Sequence, residues 1–174
     1  MSKTSLITAT AAGAAGAFGA RALLVRGLLA KFRRDLARLN AGDYQPLLNA
    51  YADDAVLVFN DGDHRWAGEH RGKAAIERFL QEFVAAGIQG ELGDGWIGGP
   101  PWALTMVVRF DDGATGPDGE QLYRNRVVVI VRTRWGKIVR HDDFYEDTGR
   151  IVRLEEGLNR LGIVPAGAAA RVPA

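Results

Sequence analysis

Gly87 separates two kinds of periodicity in this chain, and that change limits the available folds more than any other feature. Ahead of it, apolar residues recur three and four apart. Val25, Leu28, Leu29, Phe32, Leu36 and Leu39 predict one amphipathic helix, with Lys31, Arg34, Asp35 and Arg38 on its opposite face; Ile76, Phe79, Leu80 and Phe83 predict another over 73–86. After it the pattern becomes that of strands, predicted over 88–97, 102–110, 122–134 and 138–145, with turns at Pro117-Asp118-Gly119 and Trp135-Gly136. Asn40-Ala41-Gly42 ends the first helix, and Asp43 is suited to cap a short second helix running to Tyr51. Ala55 to Phe59 reads as a buried strand, with a hairpin partner near Trp66, and Ile151, Leu154, Leu158 and Leu161 predict a C-terminal helix closed by Gly162. Helices followed by antiparallel strands make the class α+β, with three N-terminal helices packed on a curved, mainly antiparallel sheet of about four to six strands that encloses a cone.

Composition narrows the function. A chain of 174 residues, 47% apolar and 25% charged, is ordinary for one globular domain, read here as residues 22–164 with an Ala/Gly-rich extension over 1–21 and a flexible tail over 165–174. A net charge of +1 supplies no general field for nucleic acid or an anionic membrane. The absence of Cys excludes disulfides, thiolate metal sites and Cys nucleophiles, and the only serines, Ser2 and Ser5, sit where a catalytic nucleophile would lack a framework. The stretch from Thr4 to Ala20 has the composition of a signal, an anchor or a frayed helix; it is short of a bilayer span and weakly hydrophobic. A loosely packed extension of a cytoplasmic protein is the expectation.

Chemistry concentrates in Lys137 to Asp147, KIVRHDDFYED. Period two puts Val139, His141, Asp143 and Tyr145 on one face and Ile138, Arg140, Asp142 and Phe144 on the other. If the first face is internal, Asp143 is a carboxyl group in an apolar layer, the setting of a general base; if not, it is a solvated strand-end acid. Gly93-Asp94-Gly95-Trp96-Ile97-Gly98 matches GxGxxG in letters, but Gly99-Pro100-Pro101 follows where a dinucleotide site needs a helix, so it is assigned to a loop or a strand irregularity. His64, His70 and His141 show no ligand-like spacing, His64 and His70 falling in a polar loop region, and no metal or cofactor is expected. Trp66, Trp96, Trp102 and Trp135 are read as core and rim.

The strings LARLNAGDYQPLLNAYADDAVLVF, HRWAGEHRGKAAIERFL and GKIVRHDDFYED, in this order, resemble the NTF2-like superfamily in its SnoaL-like branch, over about residues 22 to 164. The resemblance implies a cone-shaped α+β fold with a deep apolar pocket, commonly a homodimer through the sheet. Members include polyketide cyclases, ketosteroid isomerases and limonene epoxide hydrolase, and many others only bind or scaffold. It implies a catalytic Asp at Asp143 on the last strand. The epoxide hydrolase's water-holding Tyr and Asn fall on Leu57 and Phe59, and its Arg/Asp pair has no counterpart within 102–110, so its full machinery is missing. The ketosteroid isomerase oxyanion pair has no convincing match either, although His141 or Tyr145 can donate one hydrogen bond. Two classes of function follow. One is cyclase- or isomerase-type acid/base chemistry on a small hydrophobic carbonyl compound, with Asp143 as base and His141 and Tyr145 orienting it or donating. The other is a non-catalytic module for ligand binding or dimerisation, with Asp143 a structural partner of Asn125, Arg126 or His141. In either case Leu57, Phe59, Phe79, Phe83, Asn125 and Val127 are expected to line the cone.

Overall fold

The structure is a computed structural model that describes residues 3–163 and 165, apart from the side chains of 3–18 and 20. The expected tail therefore lies outside the described residues except for Pro165. The chain divides into two compact units between Arg34 and Asp35. The first is helical throughout its described length, belonging to α1 (Lys3–Asn40), which continues without a break into the start of the second. Lys31 and Arg34 are exposed while Val25, Leu28, Leu29 and Phe32 are half-buried, as the helical period predicts. No described helix is long and apolar enough to cross a membrane.

The second unit holds α2 (Gln45–Leu48), β1 (Tyr51–Phe59), β2 (Gly68–Arg71), α3 (Lys73–Ala85), β3 (Gln89–Gly98), β4 (Thr105–Thr115), β5 (Gln121–Arg134), β6 (Lys137–Tyr145) and α4 (Thr148–Arg160). The strands form one unclosed sheet in the order β2-β1-β6-β5-β4-β3, antiparallel except where β1 runs parallel to β6. The α+β class holds, but the expected three helices ahead of the sheet do not. Four helices are described, and the β1-β2 hairpin intervenes between α2 and α3. The second helix is shorter than its capping sequence suggested. Asp43 does take the Gln45 amide on its Oδ1 (3.1 Å), but Pro46 and a Tyr44 cap leave only four helical residues, and from Tyr51 the chain is already extended.

Apolar periodicity explains what is buried. Ile76, Phe79 and Leu80 of α3 and Ile151, Leu154 and Leu158 of α4 form stripes three to four residues apart. Asp147 caps α4 by accepting the Arg150 amide. On β5, Tyr123, Asn125, Val127, Val129 and Val131 are buried and the residues between them are not, the alternation of a sheet with one covered face. Strand β6 departs from strict alternation: Arg132 faces Arg140 but Thr133 faces Ile138, so Val139 is an extra residue. That bulge turns Ile138 inward, against the parity read from the sequence, while His141, Asp143 and Tyr145 keep the predicted face. The GxGxxG string lies within β3, whose register shifts between Leu92 and Gly95, so it is a strand irregularity.

The loop before β2 is fastened by a nearly buried arginine. Arg65 makes two hydrogen bonds to the Glu155 carboxylate (2.8 and 3.0 Å), a third to Glu82 (3.4 Å) and a fourth to the Ile163 carbonyl (2.8 Å). A guanidinium fork meets a planar carboxylate in this way only when both are held in place, so the loop joins α3 to α4.

Candidate functional site

Register places the candidate residues. Leu57 of β1 faces His141 of β6, and across the sheet Val131, Val129 and Val127 of β5 face His141, Asp143 and Tyr145. One strand further, Asn125 faces Asp112 of β4. The covered side of the sheet thus carries an apolar floor of Leu57, Val127, Val129 and Val131 with a polar group set into it.

Two hydrogen-bonded arrays make up that group. In the first, Tyr51 Oη lies 2.5 Å from His141 Nδ1, and His141 Nε2 lies 2.8 Å from Asp143 Oδ1. The Tyr51 and His141 rings are stacked at 7°. The Asp143 side chain is only 8% exposed, so the solvated-acid reading does not hold. In the second array, Tyr145 Oη donates to Asp112 Oδ2 at 2.8 Å, with Tyr123 close by. Burial pushes the Asp112 carboxyl up to about 7; the Tyr145 hydroxyl opposes the shift, and negative charge on Asp143 and Asp111 adds to it. Burial also raises Tyr51, Tyr123 and Tyr145, so all three remain hydroxyl donors at neutral pH.

A hollow of about 610 Å³ opens where β3 begins, β4 ends and β5 begins, with Asp112, Ala114, Tyr123, Gln121, Glu91 and Asn40 among its walls. Its walls mix polar and apolar groups, and none of the nine predicted site residues lines it. Asp112 and Tyr123 connect it to the arrays inside. Asp112 Oδ1 rests against Gly90, where an added Cβ would come within 3.3 Å, so glycine leaves room for the carboxyl group.

Phe59, Phe79 and Phe83 pack against one another. Phe59 touches Tyr145, Phe79 and His64 at ring separations of 5.0, 5.5 and 5.5 Å, and Phe79 continues to Phe83 at 6.3 Å. Phe79 is buried and Phe83 half-buried. Asn125, also buried, holds the Asp147 carbonyl and the Arg126 amide, and so serves the backbone. Of the partners considered for Asp143, His141 is the one found.

Sequence reasoning missed Asp112, Tyr51 and Tyr123. Strand β4 runs past the expected end at Phe110, because Met106, Val108, Phe110, Asp112 and Ala114 continue a single period-two face. Tyr51, expected at the end of the second helix, begins β1. The histidines do not converge: His70 contacts the Trp66 carbonyl and the Phe79 ring, while His64 is buried although its loop was expected to be polar, and both its ring nitrogens lack partners among the described residues. Burial holds His64 below the usual imidazole range despite the opposing charges of Glu155, Asp63 and Asp61. A histidine kept neutral in the fold costs stability as pH falls below about 6.5, where the unfolded chain takes up its proton. The drop in thermal midpoint between about pH 7 and 5.5 is therefore expected to be smaller in His64→Leu than in the wild type, as differential scanning fluorimetry would show.

Comparison with known proteins bears on the family and the fold. Residues 32–141 match the SnoaL-like domain. No curated protein matches. Among solved structures, TerC co-crystallised with polyporic acid is 20% identical, with a TM-score of 0.58 over 74% of this chain and 97% of that one. An NTF2-like protein of unknown function from Burkholderia pseudomallei K96243 is 18% identical, with a TM-score of 0.57 over 73% and 95%. Bal32a from a soil-derived mobile gene cassette is 19% identical, with a TM-score of 0.56 over 74% and 93%. These three share the fold, and the domain match covers well over half the chain: it belongs to the SnoaL-like domain family of NTF2-like proteins.

Proposed function

We propose that this protein carries out cofactor-independent acid/base chemistry, of the isomerase or cyclase type, on a small carbonyl compound. The observation that carries the reading is a pair of inward carboxyl groups in unlike settings. Asp143 is held by the His141 imidazole, whereas Asp112, bonded to Tyr145 in the wall of the hollow, has its pKa raised to about 7. Two such groups divide the labour of proton transfer. Asp143 removes a proton from the carbon next to the carbonyl. The electrons move to the carbonyl oxygen, which accepts a hydrogen bond from Tyr145 or protonated Asp112. Return of the proton to another carbon completes an isomerisation; attack of the enolate carbon on a second carbonyl completes a cyclisation. TerC, crystallised with polyporic acid, is a precedent for a small organic molecule on this fold.

The test incubates wild type and Asp143→Asn with a panel of hydrophobic ketones, epoxides and polyketide-like compounds, following thermal shift and product. Product from the wild type alone supports the reading. Equal product from both proteins removes Asp143 from the chemistry, and thermal shift without product from either supports the binding module.

The family resemblance also suggests a homodimer through the uncovered sheet face, where Val128 and Phe144 are 37% and 54% exposed. A charge there is costly to bury, so Phe144→Lys is expected to turn a dimer at micromolar concentration into a monomer by light scattering. A wild-type monomer removes the idea.

A further inference from the structure

Tyr51 lies at the head of the first array and is 1% exposed. Its hydroxyl keeps its proton, because burial and the nearby Asp143 both disfavour phenolate. A buried O–H must donate to something, and among the described residues its hydrogen-bond partner is His141 Nδ1. A protonated Nδ1 would set two donors against each other and leave the Tyr51 hydrogen without an acceptor. The groups that could alter this balance are few. Val131 of β5 and Leu57 of β1 face His141 across the sheet and are apolar, leaving Tyr51 and Asp143 as its titratable contacts.

We propose that Tyr51 is a positioning residue. By donating to Nδ1 it fixes His141 as the neutral Nε2–H tautomer, which donates to Asp143 Oδ1 and leaves Oδ2, which has no hydrogen bond among the described residues, to meet the substrate. The proposal rests on Asp143 being the base. Its physical content is an orientation chain: a rigid stacked phenol sets a tautomer, the tautomer sets the rotamer of a carboxylate, and the carboxylate presents one chosen oxygen.

Nitrogen-15 NMR of the full chain, labelled at histidine and free of substrate, tests the tautomer, with His141→Gln assigning the signals. The wild type is expected to show an unprotonated, pyridine-like Nδ1 and a protonated Nε2 at neutral pH. Tyr51→Phe keeps the stacked ring but removes the donor. It is expected to show mixed tautomers or a doubly protonated ring, and to lose roughly 10- to 100-fold in kcat with KM little changed. A wild-type proton on Nδ1, or a Tyr51→Phe spectrum identical to the wild type, overturns the proposal. Should Tyr51→Phe fail to fold, the wild-type spectrum alone decides. The expected spectrum without turnover of any compound overturns the positioning role through failure of the base assignment, and the tautomer then stands by itself.

Discussion

Asp112→Asn is expected to stabilise the fold by up to about 4 kcal/mol near pH 8 and by less than about 1 kcal/mol near pH 4. The size follows from a carboxyl whose folded pKa is about 7 against 3.8 for the unreacted side chain, a gap of about three units at 1.36 kcal/mol each. The sign follows from proton counts. Between the two values the folded chain holds a proton that the unfolded chain has released, so stability falls as pH rises through that window and levels off above it. Asn keeps an oxygen for the Tyr145 hydroxyl while removing the ionisation, so the variant escapes the alkaline loss. Urea unfolding across pH measures the difference; a constant gap between the proteins would mean that Asp112 titrates normally. If Asp112 works as the acid, the same substitution reduces turnover, and the gain in stability reports what the wild type gives up to keep a carboxyl group buried.

The second large effect is expected in Asp143→Asn, a loss of roughly 100-fold or more in turnover with the fold and ligand binding kept. The amide can still take the His141 Nε2–H on its oxygen, so the array should survive in geometry. What disappears is the proton acceptor of the proposed reaction. Removing one positioned acid/base group is usually worth about 10²–10⁴ in rate. Initial rates on any compound the wild type converts, alongside binding measured by titration calorimetry, separate lost chemistry from lost affinity. Weakened binding at undiminished kcat would give Asp143 a ligand-holding role instead.

Both residues show what could be read before the fold was known. The inward face of β6 was legible because His141, Asp143 and Tyr145 obey period two past the bulge, and the Phe79 face of α3 because helical spacing is strong there. Ile138 was misplaced because a bulge adds one residue without marking the sequence. Asp112 was overlooked for a related reason: a polar pair, Asp111-Asp112, looks like the end of a strand, yet the ladder continues through it to Thr115. Pairing of strands distant in the chain decides such cases, and no local window contains it. The same holds for Tyr51, whose role depends on a histidine 90 residues away.

That separation bears on when the protein becomes competent during synthesis. The site forms only if β1 docks alongside β6, the parallel pairing of the first strand with the last, so nearly the whole domain must have left the ribosome before Tyr51 can meet His141. Until then β1 has only β2 beside it, and its other edge offers unpaired backbone groups to any passing strand. Closing so long a loop predicts slow, late acquisition of the Tyr51–His141 contact relative to the β3-β4-β5 meander, which pairs neighbours in sequence. A nascent chain released short of β6 would hold the β1-β2 hairpin and Asp112 beside an open strand edge, an aggregation hazard.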